Sequence, residues 1–473
     1  MHFKPSELVI DPANPFAYDA FERQEIVGAA TRLITGLTGP FVIAIDSEWG
    51  TGKTTFIRML KVCLEAEGHP CLYFNAWETD FAEDPLIAFV GELDGLMTSV
   101  CPEESERRAL ITKTKKITSA VAKRAAPALL KLVTLGAVDL QQETERILAE
   151  LAGGVGTDAV EHYLQEKAQI EEFHKELGAV LEAAKNFNKK LPVVIFVDEL
   201  DRCRPLYAIE LLERIKHLFN VEQAVFVVAV DKEQLGISLG AVYGHGFNST
   251  EYLRRFFDLE LKLSAVDSEK YCDSLMKRME LDELFKARPD QTRAGDIEGF
   301  RDSFRFLSKM LGLTPRAQEQ YMGLLKLALV TTPDSHHLFP VETSILAALK
   351  ISNSKLYHKV SRQGGSVSEV IQYLNENRTK NEPLKQSPIK RQRHYWAVVQ
   401  GYLLSMRRDA DQSANLLLAE HGNNSRDSSK PTEIQEEGYT VTGIASQRHG
   451  WPTANLDVIG RRIDVVAQFS NER

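Results

Sequence analysis

The sequence predicts an α/β protein: a parallel sheet is interrupted by a helical insertion, and a mostly helical C-terminal region follows. Three observations predict this. The stretch Phe41 to Thr55, FVIAIDSEWGTGKTT, passes from an apolar, β-branched run through a glycine-broken turn into a helical pattern. Further apolar runs at Cys71 to Phe74, Val193 to Val197 and Ala224 to Val230 alternate with helical patterns and read as buried strands. The residues that carry chemistry follow these strands directly: Lys53-Thr54, Asp198-Glu199 and Asp231. In parallel sheets ligands sit beyond the carboxyl ends of the strands, which is where all of them fall.

The chain has 473 residues, room for two or three domains. Hydrophobic content of 43% and charged content of 26% describe an ordinary globular protein. The formal charge of −9 excludes a wholesale nucleic-acid coat and leaves local basic patches open. Five cysteines show no CxxC or metal-ligand spacing, which suits a reducing cytosol. Met1 to Pro15 is polar and proline-broken, unlike a signal peptide. The most apolar long window, Ala125 to Val138, is too short to span a bilayer and contains Lys131. A cytoplasmic protein is expected.

Taken in order, a proline-punctuated lead-in precedes a helix pattern over Glu25–Leu37, with Ile26, Ala30, Leu33 and Leu37 on one face. In the loop that follows the first strand, glycines turn backbone N–H groups toward phosphates, and the helix N-terminus adds its positive end. Trp49, Gly50, Thr51, Gly52, Lys53, Thr54 and Thr55 are therefore the expected ATP contacts. Lys53 would reach the β- and γ-phosphates and Thr54 would hold Mg²⁺ through its hydroxyl. Ser47 stands where G-x-x-x-x-G-K-[ST] has its first glycine; serine is small, so reduced backbone freedom is expected and not lost binding. Taken alone, the stretch also reads as a plain glycine turn. The helix runs to about Glu67, where Gly68 stops it, and residues 85–100 are helical again.

The alternation then pauses over residues 101–190. This segment holds a basic run (Lys113, Lys115, Lys116, Lys123, Arg124) and a long charged helix pattern from Asp158 to Phe187. Leu164, Phe173, Leu177, Val180 and Leu181 line one side of that helix. It reads as a helical excursion packed on the core, with a partner-binding arm as the alternative. After the next strand, Asp198 is placed to orient Mg²⁺ and Glu199 to polarise the attacking water. Two adjacent acids also commonly end a strand in solvent. Asp231 ends the following strand and is a further nucleotide-site candidate.

Arg254 and Arg255 open a strand-like segment, Phe256 to Leu263. In oligomeric NTPases an arginine so placed can stabilise a neighbour's transferring phosphate; the alternative is a surface salt bridge. Residues 264–422 are mostly helical, with Met322, Leu325 and Leu329 on one face and Trp396, Val399 and Leu403 on another. Thr314 caps a helix whose first turn holds Pro315 and Arg316. The run Lys390 to Trp396 either touches phosphates or is a helix's wet first turn with its aromatics in the core. His336-His337 lacks ligand spacing and reads as loop. Residues 423–438 read as a flexible linker, and Asn455 to Phe469 as a small hairpin turning at Gly460-Arg461.

With WGTGKT (Trp49 to Thr54), FNAWE (Phe74 to Glu78), VDELDRC (Val197 to Cys203), AVDKE (Ala229 to Glu233) and EYLRRFFDLEL (Glu251 to Leu261) in place, residues 16–262 resemble the KAP family of P-loop NTPases. Glu199 stands where that family usually has the second Asp of Asp-Asp-Leu-Asp-Arg. The resemblance implies an additional-strand P-loop fold, with Val225 to Val230 lying between the phosphate-loop strand and the Mg²⁺ strand. It implies a sensor-type role for Arg316 toward the γ-phosphate. KAP proteins often carry a membrane hairpin between the two nucleotide motifs; here the insertion lacks the roughly 20 apolar residues that crossing requires, so the resemblance is to a soluble branch. A peripheral membrane contact by Lys113–Val138 stays open. The expected activity is Mg²⁺-dependent ATP hydrolysis by a switch or remodelling NTPase, a homo-oligomer with unidentified protein partners. Relatives occur in anti-phage defence and membrane-associated signalling. The rival readings are a nucleotide-locked scaffold without turnover and, less favoured by the long helical C-terminal half, a small-molecule kinase.

Overall fold

A computed structural model describes residues 9–100, 112, 168, 171–182, 189–263, 268–288, 295–380, 389–446 and 456–464, apart from positions 18, 83, 169–170, 176, 180, 245 and 409. The basic run at 113–124, the apolar window 125–138 and Leu164 lie outside the described residues. Two compact units divide at Ser264–Ala265.

The first unit is a five-stranded sheet: β1 (Phe41–Asp46), β2 (Cys71–Asn75), β3 (Val193–Asp198), β4 (Ala224–Val230) and β5 (Leu259–Lys262). All pairs are parallel, in the order β2-β3-β4-β1-β5. Strand β4 thus lies between the phosphate-loop strand β1 and β3, the additional-strand arrangement. These strands are nearly continuous apolar runs because both faces are covered. Alternate residues divide between two cores. Val42, Ala44, Phe74, Ile195, Val197, Phe226 and Val228 face helices α3 (Pro85–Val100), α4 (Pro205–His217) and α5 (Lys232–Tyr243). Ile43, Ile45, Val194, Phe196, Val225 and Val227 face α1 (Gln24–Thr35) and α2 (Lys53–Ala66). From the described part of the insertion, Phe173, Leu177 and Leu181 are buried in the first of these cores.

Helix α1 corrects one expectation. Its buried stripe is Val27, Ala30, Thr31 and Ile34, and Leu33 is exposed. The alternative stripe through Ile26 and Leu33 is equally apolar in sequence. In the observed rotation Arg23, immediately before the helix, has its side chain held in the phosphate loop.

The second unit's described elements are helices. Met322, Leu325 and Leu329 are fully buried, as are Val399 and Leu403, with Trp396 nearly so. Lys390, Arg391, Arg393 and His394 stay exposed, so the basic-aromatic run is a wet first turn over a packed helix, and Arg378 lies 5.3 Å over the Trp396 ring. His336 and His337 sit in a loop. The expected linker at 423–438 is instead the turn of a helical hairpin, Gln412–Arg426 and Thr432–Ser446. Its polar residues mostly face out, while Gly438 lets the backbones meet: a Cβ there would lie 2.6 Å from His421 O. The expected hairpin at the tail is a helix, Leu456–Ile463. Leu456, Ile459 and Ile463 form a helical stripe, and Gly460 is there for close packing, its carbonyl accepting from Tyr357 Oη at 3.1 Å. Among the described residues no helix is long and apolar enough to cross a membrane.

Candidate nucleotide site

The chain leaves β1 at Asp46 and turns through Ser47–Gly52 into α2. Ser47 N donates to Val230 O at 3.2 Å, which fastens the loop to the end of β4. Gly50 and Gly52 take the left-handed conformation, with φ of 79° and 84°. At Gly52 there is no room for another residue, since a Cβ would lie 2.7 Å from Phe21 Cε2. Ser47 Oγ lies 2.6 Å from Thr51 Oγ1, and Thr51 Oγ1 in turn donates to Glu48 O at 2.7 Å. The serine that replaces the usual glycine therefore closes the loop upon itself.

No side chain caps the first turn of α2. Its first N–H groups have no intrahelical acceptor, and the helix dipole makes this end attractive to an anion. Thr54 is half-buried, and its hydroxyl makes no hydrogen bond among the described residues; Thr55 follows in the same turn.

Lys53 is buried, with Nζ donating to Ser47 O at 2.5 Å and Glu48 O at 3.2 Å. Burial lowers its pKa, while Asp201, Asp231, Asp198 and Asp46 raise it back. Those four carboxylates favour the ammonium form against the burial. Asp201 is the nearest, at 3.9 Å, and the same Oδ2 accepts from Trp49 Nε1. Burial raises the Asp201 pKa, and Lys53 pulls it down.

Asp198 and Asn75 are register partners at the ends of β3 and β2. Asp198 is buried; its Oδ2 accepts from Tyr73 Oη at 2.8 Å and its Oδ1 from Glu199 N at 2.9 Å. Burial pushes the Tyr73 phenol up, keeping it a donor. Glu199 has a left-handed backbone, φ 60°. Its Oε1 pairs with Arg202 at 2.6 Å, and Oε2 lies 3.5 Å from Asn75 Nδ2. Burial raises its pKa, and Arg202 pulls the other way. Asp231 is buried and caps α5, accepting from Gln234 N at 3.1 Å.

These residues fit Mg²⁺ and a triphosphate. Among the described residues no three His, Cys, Asp or Glu side chains gather as a self-sufficient metal site. Mg²⁺ needs none, being held by one or two protein oxygens together with phosphate and water.

Two of the sequence candidates lie at the other end of the sheet, and a third belongs to the second unit. Arg254 and Arg255 follow helix α6 (Ser249–Leu253) and precede β5. Asp258, just after them, exchanges bonds with Val42 at the start of β1 (2.8 and 2.9 Å), whereas the phosphate loop leaves the other end of that strand. Both arginines are thus at the sheet end remote from their own chain's Lys53. Arg254 pairs with Glu251 at 3.1 Å; Arg255 is exposed with no ion pair among the described residues. Arg316 belongs to the second unit, exposed on the first turn of Pro315–Val330, whose Thr314 cap accepts from Ala317 N.

Sequence reasoning did not single out Arg23. It is buried and donates to Thr51 O at 2.7 Å and Gly52 O at 3.0 Å from behind the loop. Asp19, accepting from Arg23 N and Gln24 N, was the one local signal, a cap before a helix. Asn75, Trp77 and Arg202 were visible only as parts of motifs, and Tyr73 only as part of a strand.

The KAP family P-loop domain matches residues 29–408, extending through most of the helical second unit. No curated protein sequence matches the chain. Among solved structures, the ADP form of the Aeropyrum pernix ORC2 protein aligns at 12% identity and a TM-score of 0.34, covering 94% of this chain and 96% of that one. Its ADPNP-ADP complexes align at 12% and 0.31, covering 95% and 94%. C. elegans PCH-2 aligns at 12% and 0.31, covering 71% and 69%. Likenesses this distant add nothing to the assignment of the site. The match to the family domain does, because it spans most of the chain and contains the whole phosphate loop and both acidic strand ends: this protein belongs to the KAP family of P-loop NTPases.

Proposed function

We propose that the protein is a Mg²⁺-dependent ATPase that works as a switch or remodelling component, in the cytoplasm and as a homo-oligomer. The observation that carries this reading is the buried Lys53 ammonium at the foot of an uncapped helix, with Asp198 and Glu199 on the strand two places away in the sheet. Backbone N–H groups of Gly50 to Thr55 and Lys53 hold the β- and γ-phosphates. Thr54 and Asp198 hold Mg²⁺, which supplies charge neutralisation along the phosphates when bound. Glu199 accepts the proton of the attacking water; a carboxyl pushed up by burial is a stronger base than an ordinary one. Asp201 is less suited to that task because its Oδ2 is shared by Trp49 and Lys53. The two units provide the parts a nucleotide-driven switch requires, a catalytic sheet and a separate helical body. Family membership makes a place in anti-phage defence or signalling the first context to look in.

Paired substitutions test the chemistry. Lys53→Ala should stay folded and lose ATP binding. Glu199→Gln should bind Mg-ATP as before and hydrolyse it roughly 10²–10⁴-fold more slowly, the usual cost of losing a general base. Asp198→Asn should weaken the Mg²⁺ dependence of binding. A Glu199→Gln protein that binds and turns over like the parent removes Glu199 from the mechanism. A parent that binds ATP but never hydrolyses it establishes the scaffold reading instead.

A further inference from the structure

We infer that Arg202 is a positioning residue that masks Glu199, and that the stack of Trp77 on Arg202 holds the mask in place. The inference rests on Glu199 being the base of the proposed hydrolysis. Both carboxylate oxygens of Glu199 are engaged: Arg202 takes Oε1 at 2.6 Å, and Asn75 Nδ2 lies 3.5 Å from Oε2. A carboxylate oxygen paired with a guanidinium is a weaker proton acceptor, so Glu199 takes a proton from water more readily once that pair opens. The backbone is built for this posture. Glu199 is held at φ 60°, a left-handed conformation that a non-glycine residue keeps only when its surroundings impose it. Arg202 lies in the single 3₁₀ turn Leu200–Arg202, where Arg202 N donates to Glu199 O at 3.1 Å, so the two side chains share one tight turn.

The guanidinium is pinned from outside. Arg202 Cζ lies 5.7 Å from the centroid of the Trp77 ring, and Trp77 is 53% exposed. Trp77 itself sits just past β2, its backbone N–H donating to Asn75 Oδ1 at 3.1 Å. Asn75 thus touches the Trp77 backbone with its oxygen and approaches Glu199 with its nitrogen. Arg202, Trp77 and Asn75 form one linked group around a single carboxylate, contributed by the FNAWE and VDELDRC segments. Nothing else among the described residues forms an ion pair with Arg202, and its side chain is one-third exposed. Its removal therefore leaves no buried partner unsatisfied except Glu199. Because the outer face of Trp77 meets solvent, the mask can be loosened without disturbing either core.

Steady-state ATP hydrolysis tests this, with nucleotide affinity measured separately by calorimetry. Arg202→Ala should raise kcat several-fold while leaving KM within about twofold. Arg202→Lys keeps a charge without the planar fork, so its kcat should fall between the two. Trp77→Ala, which leaves the Arg202–Glu199 pair present but unpinned, should raise kcat modestly. Adding Glu199→Gln to Arg202→Ala should abolish the gain. A kcat that is unchanged or lower in Arg202→Ala, with ATP affinity intact and Glu199→Gln still slow, overturns the mask and leaves Glu199 as the base. Parental turnover in Glu199→Gln alone overturns both.

Discussion

The indole N–H of Trp49 and the ammonium of Lys53 share one acceptor, Asp201 Oδ2, the first as a hydrogen bond and the second at 3.9 Å. Trp49 belongs to the phosphate loop and Asp201 to the turn after β3, so one oxygen joins the two halves of the nucleotide site. A phosphate that draws Lys53 toward itself must change the electrostatic environment of the indole. Trp49 emission should therefore change saturably with Mg-ATP, and Trp49→Phe should remove most of that signal while the other tryptophans remain. Asp201→Asn keeps an acceptor for Trp49 and should retain most of the response. Asp201→Ala frees the loop and should weaken ATP about tenfold. A fluorescence titration in which Trp49→Phe responds like the parent would show that this link is not felt by the ligand.

Arg23 predicts a second effect on affinity from outside the motif. Its guanidinium satisfies the carbonyls of Thr51 and Gly52, which lets the N–H groups of the same peptides face the other way, into the cradle. Charge-assisted bonds of this kind are worth about 1.5–3 kcal/mol each when broken from one side. Arg23→Ala should weaken ATP binding at least tenfold, and Arg23→Lys should recover only part, because an ammonium does not span two carbonyls as a fork does. Calorimetric titration checks this; parental affinity in Arg23→Ala would make the contact purely architectural.

The contrast between Arg23 and Lys53 shows what was legible in the sequence. Strands β1 to β4 announce themselves because a strand buried on both faces must be apolar throughout, and the site residues follow because parallel sheets present ligands at strand ends. The placement of β4 between β1 and β3 came through the resemblance, not through periodicity. What periodicity misjudged were positions with two apolar solutions. Helix α1 has two usable stripes, and the choice between them is made by packing against the sheet, which the helix's own periodicity does not encode. Gly460 read as a turn because glycine favours turns, yet here it makes room beside Ser361, where a Cβ would lie 2.9 Å away. Residues 423–438 read as linker because a two-helix hairpin leaves much of its surface wet and polar. Arg254 and Arg255 were placed correctly before a strand, but only the parallel register shows which end of the sheet that strand start occupies.

Glu213 makes stability fall with rising pH. It is buried in α4, accepts from Tyr252 Oη at 3.2 Å, and is pushed by burial to a pKa of about 7 from an ordinary 4.5. Between those values the native state holds the proton that the unfolded chain gives up. Stability is therefore lost as pH climbs through that window, by at most about 3 kcal/mol for a shift of this size. Glu213→Gln keeps an acceptor for Tyr252 and carries no charge to bury. Its Tm should match the parent near pH 4.5, exceed it at pH 8, and show a flatter slope between. Parallel Tm curves for the two proteins would exclude Glu213 as the source.

Turnover should require self-association through Arg254 or Arg255. The proposed nucleotide site lies beyond the carboxyl end of β1, whereas these arginines lie beside its start at Val42, with the length of a strand between them. At about 3.4 Å per residue that separation exceeds the reach of an arginine side chain, so neither can serve its own site. A neighbouring chain stacked in head-to-tail fashion brings its own strand-start end to this phosphate loop. Arg255, exposed and without an ion pair among the described residues, is the better placed of the two; Arg254 must first leave Glu251. Arginines supplied in trans to P-loop enzymes are worth 10³–10⁵ in rate. Specific activity should therefore rise with protein concentration. The Arg254→Ala, Arg255→Ala double variant should bind ATP and hydrolyse it poorly, with Arg255→Ala alone accounting for most of the loss. Mixing the double variant with Lys53→Ala protein should restore part of the activity, because the first retains an intact phosphate site and the second retains intact arginines. Turnover independent of concentration, with no recovery on mixing, would make these arginines surface residues and the enzyme a working monomer.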